Sequence, residues 1–275
     1  MGTALAVYHG AFGRAALYRL NRPLAPHAHR EGHLIFLVEG TPGELVVDGT
    51  AVHADPGHAV AISPWQPHQF VPGDLGRGSV FLTLYVTPRW FFEMSRGLGG
   101  PLMRFGSTIV PLGPELGALV ARLSGLISED GAARSDFSRP LADLTAAAFE
   151  ESWSVGSGTT TRAWPHLSDY RIRNALRLMN ARVTDNVALD RVARDVGLSR
   201  PHFYKLFRQN IGVTPNIYLN TLRLERSIER LTRSEDPVTS IGLDLGFASQ
   251  ASFTRFFSNN IGIAPTDYRR ASRLA

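Results

Sequence analysis

The chain has 275 residues, enough for two domains with separate cores. It contains no cysteine, which excludes a disulfide framework and thiolate metal or redox chemistry. The formal charge of +5 is unevenly divided, with 18 Lys+Arg against 10 Asp+Glu from Arg162 onward and 11 against 14 before it, so the C-terminal part is the half suited to a polyanion.

The opening MGTALAVYHGAFGR lacks the charged start and apolar core of a signal peptide, and no apolar run approaches membrane-spanning length. The expectation is a soluble, cytoplasmic protein. Short strand-like runs follow at 15–20, 33–39, 43–47, 59–62 and 80–86, separated by the turn signals TPG, VDGT, ADPG and VPGDLG. Many short strands at regular spacing predict a barrel or double-sheet roll, a shape that can hold one small ligand.

Within this region PHAHREGHLIFLVEG resembles the first signature of the cupin superfamily and DPGHAVAISPWQPHQF the second. His27 and His29 stand at the His-x-His positions, His33 where the signature has Glu, and His68 at the second signature's His. Residues two apart in a strand share a face, so His27 and His29 are expected in one cavity. Imidazole suits Zn, Ni or Fe, so the four histidines either ligate a divalent transition metal or hydrogen-bond an organic effector or one another. His9, His53, His58, His166 and His202 have no comparable partners and read as surface or packing residues.

TPRWFFEMSRGLGGPLMRF reads as a loop or irregular crossover. Two amphipathic helices are then expected, with apolar stripes Leu116, Leu119, Val120, Leu123, Leu126, Ile127 and Leu141, Leu144, Thr145, Ala148, Phe149, Trp153. The pair at 115–153 either joins two copies, with Leu119 and Leu123 in the interface, or only packs on the barrel. SVGSGTTTRAW has linker composition. The next helix carries Ile172, Ala175, Leu176, Met179 and Val183 on its buried face.

The last third holds a degraded duplication. VARDVGLSRPHFYKLFRQNIGVTPNIY and IGLDLGFASQASFTRFFSNNIGIAPTDY match at Gly197 with Gly246, Phe203 with Phe253, Phe207 with Phe257, Pro215 with Pro265 and Tyr218 with Tyr268. Each copy reads as a short helix, a Gly-containing turn and a second helix, with Ser199 or Ser249 placed to cap the second. Those second helices leave Arg200, Pro201, Tyr204, Lys205 and Arg208 outward in copy one, and Gln250, Ala251, Thr254 and Arg255 in copy two. Such a face can donate to phosphates and read base edges in a major groove. An amphipathic helix from Pro215 to about Arg233 joins the copies and spans roughly 30 Å. Successive major grooves on one side of a duplex lie about 34 Å apart, so one chain could present both reading helices to adjacent grooves.

The region from about Pro165 to Arg270 resembles the DNA-binding domain of the AraC/XylS family of bacterial transcription regulators, most specifically in GFASQASFTRFFSNNIGIAPTDYR. The resemblance implies base contacts from Pro201, Tyr204, Lys205, Gln250, Ala251 and Arg255; Pro201 and Ala251 depart from the larger or polar residues usual there. It also implies a bacterial, nucleoid-associated activator bound to double-stranded promoter DNA, responsive to a small-molecule effector, dimeric through the helix pair, and with RNA polymerase as a candidate partner. The expected architecture is two-domain α+β: a cupin-like sensing and dimerisation domain at 1–153, a linker at 154–164, and an all-α domain with two helix-turn-helix units at 165–275. It is expected not to be an enzyme. The alternative is a metal-dependent cupin enzyme, an oxygenase or isomerase, with an accessory helical domain.

Overall fold

The computed structural model describes residues 2–95, 103–128, 137–155, 169–183 and 188–274. The N-terminal half runs β1 (Thr3–Gly10), β2 (Gly13–Leu20), β3 (Leu24–His27), β4 (Gly32–Glu39), β5 (Gly43–Val47), β6 (Thr50–Ala54), β7 (His58–Ile62), β8 (His68–Val71), β9 (Ser79–Val86), α1 (Pro88–Met94), β10 (Ile109–Pro111), α2 (Pro114–Ser128) and α3 (Ser138–Val155). The C-terminal half runs α4 (Tyr170–Ala181), α5 (Leu189–Asp195), α6 (Arg200–Ile211), α7 (Pro215–Arg233), α8 (Val238–Asp244), α9 (Gln250–Ile261), α10 (Pro265–Ala271) and β11 (Ser272–Leu274).

The strands form two sheets, ordered β10-β7-β4-β9-β2-β1-β11 and β3-β8-β5-β6. The VDGT turn closes a two-residue hairpin between β5 and β6, with Asp48 and Gly49 both at positive φ, as the twist of such hairpins requires. The large sheet is covered on both faces. Its strands alternate between them: Leu82, Leu84 and Val86 of β9 face the helices α1–α3, while Phe81 and Tyr85 point into the barrel. That double burial is why SVFLTLYV has no polar alternation.

Several expectations are corrected. The crossover after β9 begins as a helix, α1, whose Trp90 and Phe91 are buried against the sheet. Trp153 is 48% exposed and leaves the α3 stripe, donating its Nε1 to the Arg104 carbonyl. Leu123 is fully buried against the barrel and Leu119 packs partly against the same core, so the apolar stripe of α2 faces inward. The outward face of α2 instead carries Glu115 and Arg122 among the small residues Gly117, Ala118, Ala121 and Gly125. The linker reading at 154–164 falls mostly outside the described residues, as does His166, while α3 itself continues to Val155.

The two halves share a core. Tyr18, Leu45, Phe70 and Phe81 of the barrel are continuous with Leu224, Phe253, Phe257 and Tyr268 of the second helix-turn-helix unit. The first unit has its own core around Phe203, Phe207 and Tyr218, which takes in Ala28 of the barrel. Finally β11 pairs in parallel with β1, Val7 opposite Ser272, so the chain's last strand becomes an edge of the N-terminal sheet.

Candidate functional site

Three-helix units reproduce the duplication. In the first, α5 ends at Gly197, whose φ of +72° is the left-handed turn conformation; Gly246 repeats it at +80° after α8. Ser249 completes a reciprocal capping box with Ser252. Ser199 occupies the corresponding cap position of α6 but makes no side-chain cap bond, the helix start being set there by Pro201 in its first turn.

Every residue assigned to reading lies at the surface. Arg200, Pro201, Lys205, Arg208, Gln250, Ala251 and Arg255 are exposed, and Tyr204 and Thr254 partly so. Their chemistry is not equivalent. Arg200 is paired with Asp190 at 3.3 Å and lies over the Tyr204 ring; Tyr204 donates to Asn216, and the Gln250 carbonyl accepts from Thr239 at 2.6 Å. Lys205, Arg208 and Arg255 form no ion pair among the described residues. These three cations are therefore free for an external anion.

His27, His29, His33 and His68 do converge, all at 6% exposure or less. His27 closes β3 and His29 lies beyond it, so the two do not share a strand as expected. The rings meet nonetheless, His27 and His68 at 4.3 Å between centroids, His27 and His29 at 4.8 Å, and His33 and His68 at 5.5 Å. One nitrogen from each of His27, His29 and His68 falls within 4.8 Å of the others. The Nδ1 atoms of His27, His33 and His68 lie 2.6, 3.2 and 2.9 Å from the carbonyls of Ala25, Leu84 and Gln66. A carbonyl only accepts, so each Nδ1 carries the proton and each Nε2 keeps its lone pair. Burial lowers the pKa of His27 to about 4 and holds His29, His33 and His68 well below the ordinary imidazole range. The Nε2 atoms of His29 and His68 are buried without a partner among the described residues. His68 thus combines a carbonyl-fixed Nδ1–H with an unpaired Nε2, the arrangement that suits transition-metal ligation, while His27 and His33 show the first feature and His29 the second.

The backbone around this cluster reaches the helical domain directly. The carbonyl of Ala28, between the two ligand-type histidines, accepts a buried 2.9 Å hydrogen bond from Thr221 of α7. The carbonyl of His29 accepts from the Trp65 amide at 2.7 Å, and the Trp65 ring stacks on Tyr218 at 5.1 Å. Trp65 has φ +62°, a strained conformation for an aromatic residue, held by those two contacts.

Beside His29 lies a cavity of about 800 Å³ between the barrel and α7, bounded by His9, Arg14 and Glu31 on one side and Leu224, Glu225 and Arg233 on the other. Arg14 is 6% exposed, lies 3.6 Å over the Tyr85 ring and donates to the Tyr268 hydroxyl at 3.2 Å; no carboxylate pairs with it among the described residues. Tyr268 also meets His9 at 3.1 Å. Burial raises the Glu225 pKa to about 7 against the opposing pull of Arg30, whose Nε lies 3.1 Å away. Nothing in the spacing of Arg14 or Thr221 marks them in the sequence, and His9, expected as a surface or packing residue, lines this cavity.

Two family models match the chain, a helix-turn-helix domain over residues 192–271 and an AraC-like ligand binding domain over residues 12–143. The chain belongs to the AraC/XylS family. Among curated relatives, an HTH-type transcriptional regulator of Haemophilus influenzae is 30% identical over 39% of this chain and 36% of its own length. The regulatory protein PocR of Salmonella typhimurium is 32% identical over 42% of this chain and 38% of its own. The aligned stretch thus spans little more than a third of those relatives. Over nearly the whole fold the chain is similar to ToxT of Vibrio cholerae, with a TM-score of 0.58, 14% identity, and 94% of this chain and 96% of that one covered. A fatty-acid-bound ToxT structure gives 0.55, with 16% identity over 98% and 94% of the two chains. No described helix is long and apolar enough to cross a membrane.

Proposed function

We propose that this AraC/XylS family member is a ligand-responsive, sequence-specific DNA-binding transcription regulator, an activator whose barrel senses an effector. The observation that carries the reading is the trio Lys205, Arg208 and Arg255, exposed and without acidic partners on duplicate helices joined by the 19-residue α7. At 1.5 Å per residue that connector is about 28 Å long, close to the groove repeat of a duplex. Lys205, Tyr204, Pro201, Gln250, Ala251 and Arg255 would face bases, with Arg200, Arg208 and Thr254 beside them on the backbone.

On the sensing side, His27, His29 and His68 would hold a divalent Zn, Ni or Fe ion with His33 as a fourth nitrogen. A bound ion supplies a fixed centre of positive charge to which four neutral rings are drawn. The neighbouring cavity, lined by Arg14 and Arg233 and by Glu31, Glu225, Glu229 and Glu235, would take a small polar effector. The similar ToxT structure likewise holds a small organic ligand, a fatty acid. Either ligand would act on DNA binding through the same joints, Ala28 to Thr221 and Trp65 to Tyr218, since ordering the His27–His29 segment favours one placement of α7.

A homodimer through the α2–α3 pair is part of this proposal, its contact the exposed face of α2 around Ala118 and Ala121 rather than the buried leucines. RNA polymerase would be met at the promoter, and the protein would reside in the bacterial cytoplasm with the nucleoid. Genome-wide mapping of bound sites, followed by binding titrations on the recovered duplex with and without Zn, Ni or Fe, tests the reading. A recurring two-part sequence bound in a ligand-dependent way is expected. Binding indifferent to sequence would refute it, and turnover of an organic substrate by metal-loaded protein would favour the cupin-enzyme alternative.

A further inference from the structure

We infer that the barrel itself takes part in duplex binding: Arg22, together with Ser258 and Asn259 of α9, forms a subsite for a backbone phosphate beside the second reading helix. The inference rests on the DNA-binding reading of α9 and adds to it a contact from outside the helical domain.

Arg22 lies in the short connection between β2 and β3. That connection is seated on the second unit, with Leu20 and Leu24 closing over Gly262 just beyond α9. The Arg22 guanidinium crosses to α9 and donates through Nη2 to Asn259 Oδ1 at 2.7 Å. It forms no ion pair among the described residues, and Asn259 uses one of its five N–H donors.

The arginine borders a groove of about 570 Å³ whose other walls are Gln250, Ala251, Thr254, Arg255, Ser258 and Asn259. Those six positions advance along α9 in steps of four, so they are one helix face, and its first four members are the residues assigned to reading. Two guanidinium groups border the groove and no carboxylate does. Ser258, 2% exposed, lines the same groove, and its Oγ has no hydrogen-bond partner among the described residues, so turning about χ1 would let it donate to a group seated there.

The duplication supplies an independent argument. Position 258 in the second unit corresponds to Arg208 in the first, where an exposed cation stands on the helix itself. The second unit has serine at that point, and the missing positive charge is restored from the barrel by Arg22. Its position near the C-terminal end of α9 suits a phosphate flanking the groove, since base edges are met by the N-terminal part of such helices.

The test uses the full chain on a random-sequence duplex pool and on the duplex it selects from that pool, by fluorescence anisotropy over a range of KCl concentrations. Arg22→Ala is expected to lower the slope of log K against log salt by about 0.9, the loss of one phosphate contact. Both duplexes should weaken by the same factor, and Arg22→Lys should recover most of the slope. Melting curves of the variants check that the barrel and second unit remain docked. An unchanged slope with Arg22→Ala, while Arg255→Ala weakens binding, overturns the subsite and leaves the reading of α9 standing. Tighter binding by Arg22→Ala also overturns it, making the Asn259 contact a restraint instead. If neither variant changes binding, the assignment of α9 falls as well.

Discussion

Acidification is the sharpest probe of the histidine cluster. His27, His29, His33 and His68 are buried as neutral rings, with pKa values held below the usual range by burial, to about 4 for His27. In the unfolded chain each would titrate near 6.5. The unfolded state therefore takes up protons that the folded state refuses, and stability falls as pH drops through 6.5 toward the folded values. Between pH 7.5 and 5.5 the proton refused by His27 costs about 1 kcal/mol, and His29, His33 and His68 add losses of the same sign. Against a total stability on the order of 5–15 kcal/mol for a domain, that loss is large enough to measure. Urea denaturation at several pH values reads the loss directly, and a His29→Asn, His68→Asn double variant should reduce the pH dependence. A wild-type stability that does not fall over that interval would show that the rings are not buried and neutral in solution, and the metal reading would fall with them.

Lys205→Ala and Arg255→Ala should each weaken binding to the selected duplex by about 1–3 kcal/mol with melting curves unchanged; equal loss on random duplex would reassign the residue to a phosphate. Thr221→Val removes the hydrogen bond to Ala28 at nearly constant volume. It should shrink the effect of zinc on DNA affinity while leaving zinc affinity, measured by calorimetry, intact; an undiminished zinc effect would clear this joint of any role. Ala121→Glu, on the exposed face of α2, should give a folded monomer by sedimentation, whereas an unshifted dimer would place the interface elsewhere.

The sequence by itself determined the parts whose signal is local. Helical periodicity, the Gly197 and Gly246 turns and the repeated Phe, Pro and Tyr positions defined both helix-turn-helix units, because each helix buries one stripe and leaves the other to the ligand. The four histidines were legible for a similar reason: two signatures carried them. The strands β1 and β6 escaped, since the small Ala and Thr side chains of TALAVYHG and TAVHA give little apolar signal. Tertiary structure alone decided how the halves meet. Arg14, Arg22, Trp65 and Thr221 carry no pattern in the chain, and each gains its meaning from a partner 150 or more residues away, Tyr268, Asn259, Tyr218 and Ala28. It also decided between the two roles open to Leu123, placing it in the barrel core, because an amphipathic helix records that one face is buried and not what buries it.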